Sequence, residues 1–370
     1  METREFLTRT WNMERMERPA LIVEENVPRG PRPRRGPDDS DPHGAALQDG
    51  IWNYDSLLFG RDDNIPALST GLGTHIVPMV FGARERVFED GHKYLEGPVI
   101  FSAADVDRLK IPVAMTSLLK DQVERIRTFA DQTDGRYPIR IGDIQNPLSV
   151  ASVLWETNDF FLSLIEDGER VHRLLGMIAD VIAEYIDRMK EACKGIVPLS
   201  WPALWVPEDY GVYMSDDAMS MVSPDMYEEY SVPYNDRITG RHGGYMLHSC
   251  VLKKPYFEGV LKNRTLKSVN FAAQYSSDME EIYGFFGGRK VLLPHYVHTD
   301  SPQIGTPAEF IEKVAKCWSP ETPTLIYVAM KPGGGLQEDV HEAYRRCFAP
   351  SFDTHPVATY NSTQDDKTLS

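Results

Sequence analysis

The sequence has no excess of positive charge to offer a polyanion. Its 39 Lys and Arg stand against 55 Asp and Glu, a formal net charge of -16, which argues against a nucleic-acid or anionic-membrane binder. It has no long apolar run near its start: residues 1–20 carry charges throughout, so neither a signal peptide nor a membrane span is read there, and a cytoplasmic, soluble enzyme is expected. Cysteine is scarce, four without close pairing in 370 residues, which excludes a disulfide framework. No internal repeat is found.

What is present is enough apolar residue, 42%, to bury a large core, and a length that suits two ordinary domains or one β/α barrel with insertions. One barrel domain over residues 1–350 is preferred, with residues 351–370 a polar, mobile tail. Three cysteines read as core. Cys193 extends the stripe Leu174, Ile178, Ile182, Ile186 and Met189, Cys317 shares a helix with Phe310, Ile311 and Val314, and Cys347 follows Val340 and Tyr344 at helical spacing. Cys250 is different, since it ends a strand two residues after His248.

The spacing predicts strands at residues 19–23, 76–81, 137–141, 245–250, 266–271, 290–296 and 324–330, with further apolar pieces at 195–204 and 210–214. Helices are predicted at 118–130, 169–191, 278–286 and 306–318, and at 224–237, where Ser223 caps and Pro233 kinks. Strands alternating with helices indicate a parallel sheet. About eight units favour a closed (β/α)8 TIM barrel, with an N-terminal extension and insertions, over an open doubly wound sheet. One insertion, residues 28–37, carries Arg29, Arg32, Arg34 and Arg35; it reads either as an anion clamp or as a solvated loop balanced by Asp38, Asp39 and Asp41.

A β/α barrel has its active site at the carboxyl ends of the strands. The residues expected there are Asp143 with Gln145 and Asn146, Asp216 with Asp217, His248 with Cys250, Asn270, and His295 with His298. Taken singly, Gln145, Asn146 and Asn270 also fit ordinary turn chemistry. Side chains two apart on a strand share a face, so His248 and Cys250 converge, and imidazole with thiolate suits zinc. Two ligands do not make a site; His295, ending another strand, is the candidate third. Of Asp216 and Asp217, adjacent in a turn, one is expected to be functional and one structural. The run Lys331-Pro332-Gly333-Gly334-Gly335 could cradle a phosphate but reads better as a tight turn.

The runs Asp143-Ile144-Gln145-Asn146-Pro147-Leu148, Ser215-Asp216-Asp217, Ser223-Pro224, Val232-Pro233-Tyr234, His248-Ser249-Cys250 and Phe286-Gly287-Gly288-Arg289 resemble the uroporphyrinogen decarboxylase superfamily, which includes cobalamin-dependent methyltransferases. The resemblance implies a β/α barrel over most of the chain. In the methyltransferase branch a His-x-Cys pair and a distant cysteine hold zinc, and His248 and Cys250 match the pair. Zinc would keep an acceptor thiol as thiolate, which would attack the methyl group of a cobamide presented by a separate corrinoid protein, another small nucleophile being the alternative acceptor. Asp143 and Asp217 would orient substrate or carry a proton, with Gln145, Asn146, Asp216 and Asn270 around the small-molecule substrate. Two departures stand out: Val251 replaces the usual glycine, and Gly334 falls where the third ligand belongs, so that either His295 substitutes, the metal is bound differently, or no metal is bound. The decarboxylase branch, acting on a tetrapyrrole polycarboxylate without cofactor, is the second reading, although its Arg-Gln-Ala-Gly-Arg loop is missing. A binding barrel without turnover is the third.

Overall fold

A computed structural model describes residues 3–24, 41–55, 62–71, 73–88, 93–110, 115–297, 304–330 and 337–348. The Arg29–Arg35 loop, His298, the glycine run at 333–335 and the tail lie outside these. Eight strands form the frame: β1 Ala20–Glu24, β2 Leu68–Ser69, β3 Ile139–Arg140, β4 Val212–Ser215, β5 Tyr245–Ser249, β6 Leu266–Ala272, β7 Val291–Val297 and β8 Leu325–Ala329.

Six of them make one parallel sheet in the order β1-β8-β7-β6-β5-β4, with first and last strands paired from Ala20 opposite Leu325. A parallel bridge between Gln145, just past β3, and Ser215 carries the ring to β3, and β3 pairs with β2. The return to β1 is made by Asp63, whose N–H donates to the Leu21 carbonyl at 2.8 Å while its carboxylate accepts from the Leu21 N–H. The ring is a closed β/α barrel, as the strand–helix alternation predicts.

The strands are sorted by parity. Ala20, Ile22, Tyr213, Met246, Val291, Leu293, Leu325 and Tyr327 share one apolar cluster with Phe6, Leu7 and Trp11 of the N-terminal helix Thr3–Trp11. Their neighbours Leu21, Val23, Val212, Met214, Leu247, Val269, Phe271, Leu292, Ile326 and Val328 belong to the other, against the helices. The first set lines the barrel and the second faces the shell. The inward set turns polar towards the carboxyl ends, at Glu24, His248, Asn270 and His295. β4 and β5 begin close together: a Cβ on Gly211, at φ +154°, would lie 2.6 Å from the Gly244 carbonyl oxygen, so glycine is required there.

Two sequence expectations are corrected. Residues 76–81 form the short helix Ile76–Val80 instead of a strand; Ile76, Val77 and Val80 bury one side, and Pro78 sits in the first turn, where an N–H has no helical partner. The helix expected at 224–237 is two, Pro224–Tyr230 and Val232–Thr239, broken at Ser231 because Pro233 excludes the Glu229 carbonyl. The insertions include a hairpin, Glu85–Val87 with Lys93–Leu95. Cys193 is buried at the end of helix Gly168–Ala192, and Cys317 and Cys347 are half-buried against the core.

Candidate metal centre at the barrel mouth

The turn after β4 and the end of β5 meet at the carboxyl end of the barrel. The Asp216 N–H donates to the His248 carbonyl at 2.8 Å, and the Cys250 N–H donates to Asp217 Oδ1 at 3.2 Å. These bonds bring three donors together: one ligand atom each of Asp217, His248 and Cys250, all within 4.8 Å of one another. Cys250 Sγ stands 3.6 Å from His248 Nε2.

Asn270 decides which nitrogen of each histidine is free. Its Nδ2 donates to the Leu293 carbonyl at 2.6 Å, which can only accept, so the amide orientation is fixed. The same NH2 group faces His295 Nδ1 at 3.1 Å, making that nitrogen an acceptor, while Asn270 Oδ1 accepts from His248 Nδ1. His248 therefore keeps its lone pair on Nε2, towards Cys250. His295 has its Nδ1 lone pair engaged by Asn270, stacks on His248 with ring centroids 5.5 Å apart, and is not among the three clustered donors. Burial holds its pKa well below the ordinary value, so the ring stays neutral.

The carboxylates divide. Asp216 is fully buried; its Oδ2 accepts from Ser231 Oγ at 2.8 Å, and its Oδ1 has no partner among the described residues. Burial pushes its pKa up to about 7. Asn146 belongs to the same structural knot: its Oδ1 caps helix Pro147–Leu154 at Ser149, and its Nδ2 donates to Ser231 Oγ at 2.8 Å and Asn235 Oδ1 at 3.2 Å. Asp143 faces the mouth, where Ser200 Oγ donates to it at 3.0 Å and the Tyr213 hydroxyl also bonds it; burial raises its pKa. Gln145 is half-buried at the bridge to Ser215 and is not drawn into the cluster.

The donor set fits a divalent cation. Burial, followed by the Asp217 carboxylate, pushes the Cys250 thiol up to about 12, so without a cation the sulfur holds its proton. A cation beside these acidic and thiol groups reverses that balance. Asn270 behind His248 is the kind of support that orients a ligating imidazole.

Sequence reading did not single out Ser200, Tyr213 or Arg140. Arg140 NH1 donates to the Ser200 carbonyl at 2.8 Å. Tyr213 and Arg140 could have been found by parity, since each is flanked by outward apolar residues; Ser200 carries no such signal.

The model of the family described as Uroporphyrinogen decarboxylase matches residues 67–265. A methyltransferase from Methanosarcina mazei is similar in structure, with a TM-score of 0.64 at 12% identity over 94% of this chain and 98% of that one. So is a B12-independent methionine synthase from Shewanella sp. W3-18-1 in complex with selenomethionine, with a TM-score of 0.50 at 13% identity over 89% of this chain and 96% of that one. No curated protein matches the sequence. With more than half of its 370 residues inside the match, and with that β/α barrel, the chain belongs to the uroporphyrinogen decarboxylase family.

Proposed function

We propose that this protein is a methyltransferase-like enzyme that moves a methyl group from a cobamide, presented by a corrinoid protein, to the thiol of a small molecule. The observation that carries the reading is the convergence of Asp217, His248 and Cys250 at the barrel mouth. These three would hold zinc, which, when bound, would keep the acceptor sulfur as thiolate at neutral pH. Asp217 takes the place first given to His295. His295 instead braces His248 through Asn270 and ring stacking.

The remaining residues prepare the acceptor. Asp143, its proton affinity raised by burial, accepts the proton that the incoming thiol releases; Ser200 and Tyr213 fix its orientation by donating to it. Trp201 packs edge-on to His295 and Tyr327, at centroid distances of 6.3 and 5.4 Å, and limits water at that side of the mouth. No helix among the described residues is long and apolar enough to cross a membrane.

The test is spectroscopic. Methylcobalamin mixed with zinc-loaded protein and a small thiol should lose its methyl-cobalt absorbance in wild type, and at least a hundredfold more slowly in Cys250→Ala. Equal rates in the two proteins contradict the reading.

A further inference from the structure

Asp217 lies just past the end of β4, yet both of its neighbours are pinned in the interior. On one side, the Asp216 N–H donates to the His248 carbonyl at 2.8 Å, and the fully buried Asp216 carboxylate accepts from Ser231 Oγ at 2.8 Å. On the other, the Ala218 N–H donates to Ser149 Oγ at 3.1 Å. Along β4, Val212 and Met214 face the helical shell while Tyr213 faces the barrel. Asp216, held in the shell, carries that alternation one residue beyond the strand and leaves Asp217 on the barrel side.

Ser231 can do this because it stands at the break between two helices. Its N–H closes the first on the Tyr227 carbonyl at 2.9 Å, its carbonyl opens the second by accepting from the Asn235 N–H at 3.0 Å, and its hydroxyl caps neither. That hydroxyl accepts from Asn146 Nδ2 at 2.8 Å and from Asn235 Nδ2 at 3.0 Å. A hydroxyl has two lone pairs and one proton. With both lone pairs engaged, the proton is left for Asp216, and the direction of the bond is fixed. Stability alone does not account for the arrangement, because the second Asp216 oxygen is buried without a partner among the described residues, which is a cost.

We infer that Asp216 is a positioning residue for the metal site: anchored by Ser231 in the helical shell, it aims the Asp217 carboxylate at His248 and Cys250. This rests on the three-donor site of the reading above and adds what holds its carboxylate in place.

Cobalt(II) alone is the probe, since it takes the same donors as zinc and is coloured. Its affinity is read by competition with a chromogenic chelator, and its coordination by the thiolate-to-cobalt and d–d bands. Asp216→Ala should bind cobalt at least about tenfold more weakly than wild type, the size of effect expected when a ligand loses its support. It should keep the thiolate band and show the d–d bands of Asp217→Ala. The double variant Asp216→Ala with Asp217→Ala should bind within about twofold of Asp217→Ala, because one residue acts through the other. Asp216→Asn keeps an oxygen for Ser231 and should restore the wild-type spectrum. Arg18→Met, destabilised at a different seam, should bind as wild type does, which separates positioning from loss of stability. Wild-type affinity and d–d bands in Asp216→Ala, or fully additive losses in the double variant, overturn the assignment. A wild-type spectrum without a thiolate band, or one unchanged in Cys250→Ala, overturns the metal site itself and the positioning role with it.

Discussion

Replacing Arg18 with Met should destabilise the barrel where the ring closes. Arg18 donates through NH1 and NH2 to both oxygens of Asp63, at 2.6 and 2.7 Å, with side chains only 17% and 9% exposed. Asp63 is the residue that joins the β2 side of the ring to β1, accepting from the Leu21 N–H at 2.9 Å. The guanidinium also covers the Phe6 ring, 3.9 Å from its centroid, and so ties the N-terminal helix to the same seam. Methionine keeps the apolar stem but leaves a buried carboxylate with one remaining backbone donor. Two charge-assisted bonds at about 1.5–3 kcal/mol each give a loss of about 3–6 kcal/mol, which overlaps the about 3–5 kcal/mol found when one partner of a buried pair is removed. Urea unfolding should show a lower midpoint with an unchanged slope. Adding Asp63→Asn removes the stranded charge and should restore about 2 kcal/mol. A loss below about 1 kcal/mol, or strict additivity of the two changes, refutes the argument that this pair secures the closure.

Asn146→Ala removes a helix cap and two buried amide bonds, and should cost about 2–3 kcal/mol in the same urea assay. Asn270→Leu frees the His248 ring and should weaken zinc binding by about tenfold to a hundredfold, read by competition with a chromogenic chelator. In metal-free protein Cys250 should alkylate slowly at pH 8 despite its exposure, and the rate should climb with pH past 10, because its thiol is held up to about 12. Asp217→Asn removes a negative neighbour, lowers that pKa and raises the thiolate fraction, so modification at pH 8 should be severalfold faster. Peptide mass mapping identifies the site; a wild-type rate that levels off below pH 9 contradicts the assignment.

The barrel was legible because most of its strands are apolar runs at regular distances, although β2, Leu68–Ser69, is too short to show as one; the alternation along β5 alone puts His248 and Cys250 on one face. The partner of that pair was not legible. Asp217 comes within ligand distance through one backbone bond, Asp216 N–H to the His248 carbonyl, and one from the Cys250 N–H to its own carboxylate, a pairing between segments some thirty residues apart that no local pattern encodes. Asn270 could be named as a strand end, but its role in fixing two imidazoles depends on the Leu293 carbonyl of the next strand. The error at residues 76–81 has a local cause: a five-residue apolar stretch with proline satisfies a strand pattern as well as a helical first turn.

The central claim is that Asp217, His248 and Cys250 form one metal site. Elemental analysis of protein purified without chelator and dialysed against trace zinc tests it directly. The account predicts close to one zinc per chain in wild type and little in Cys250→Ala or Asp217→Ala. Full retention of zinc in both variants, or none in wild type, contradicts it.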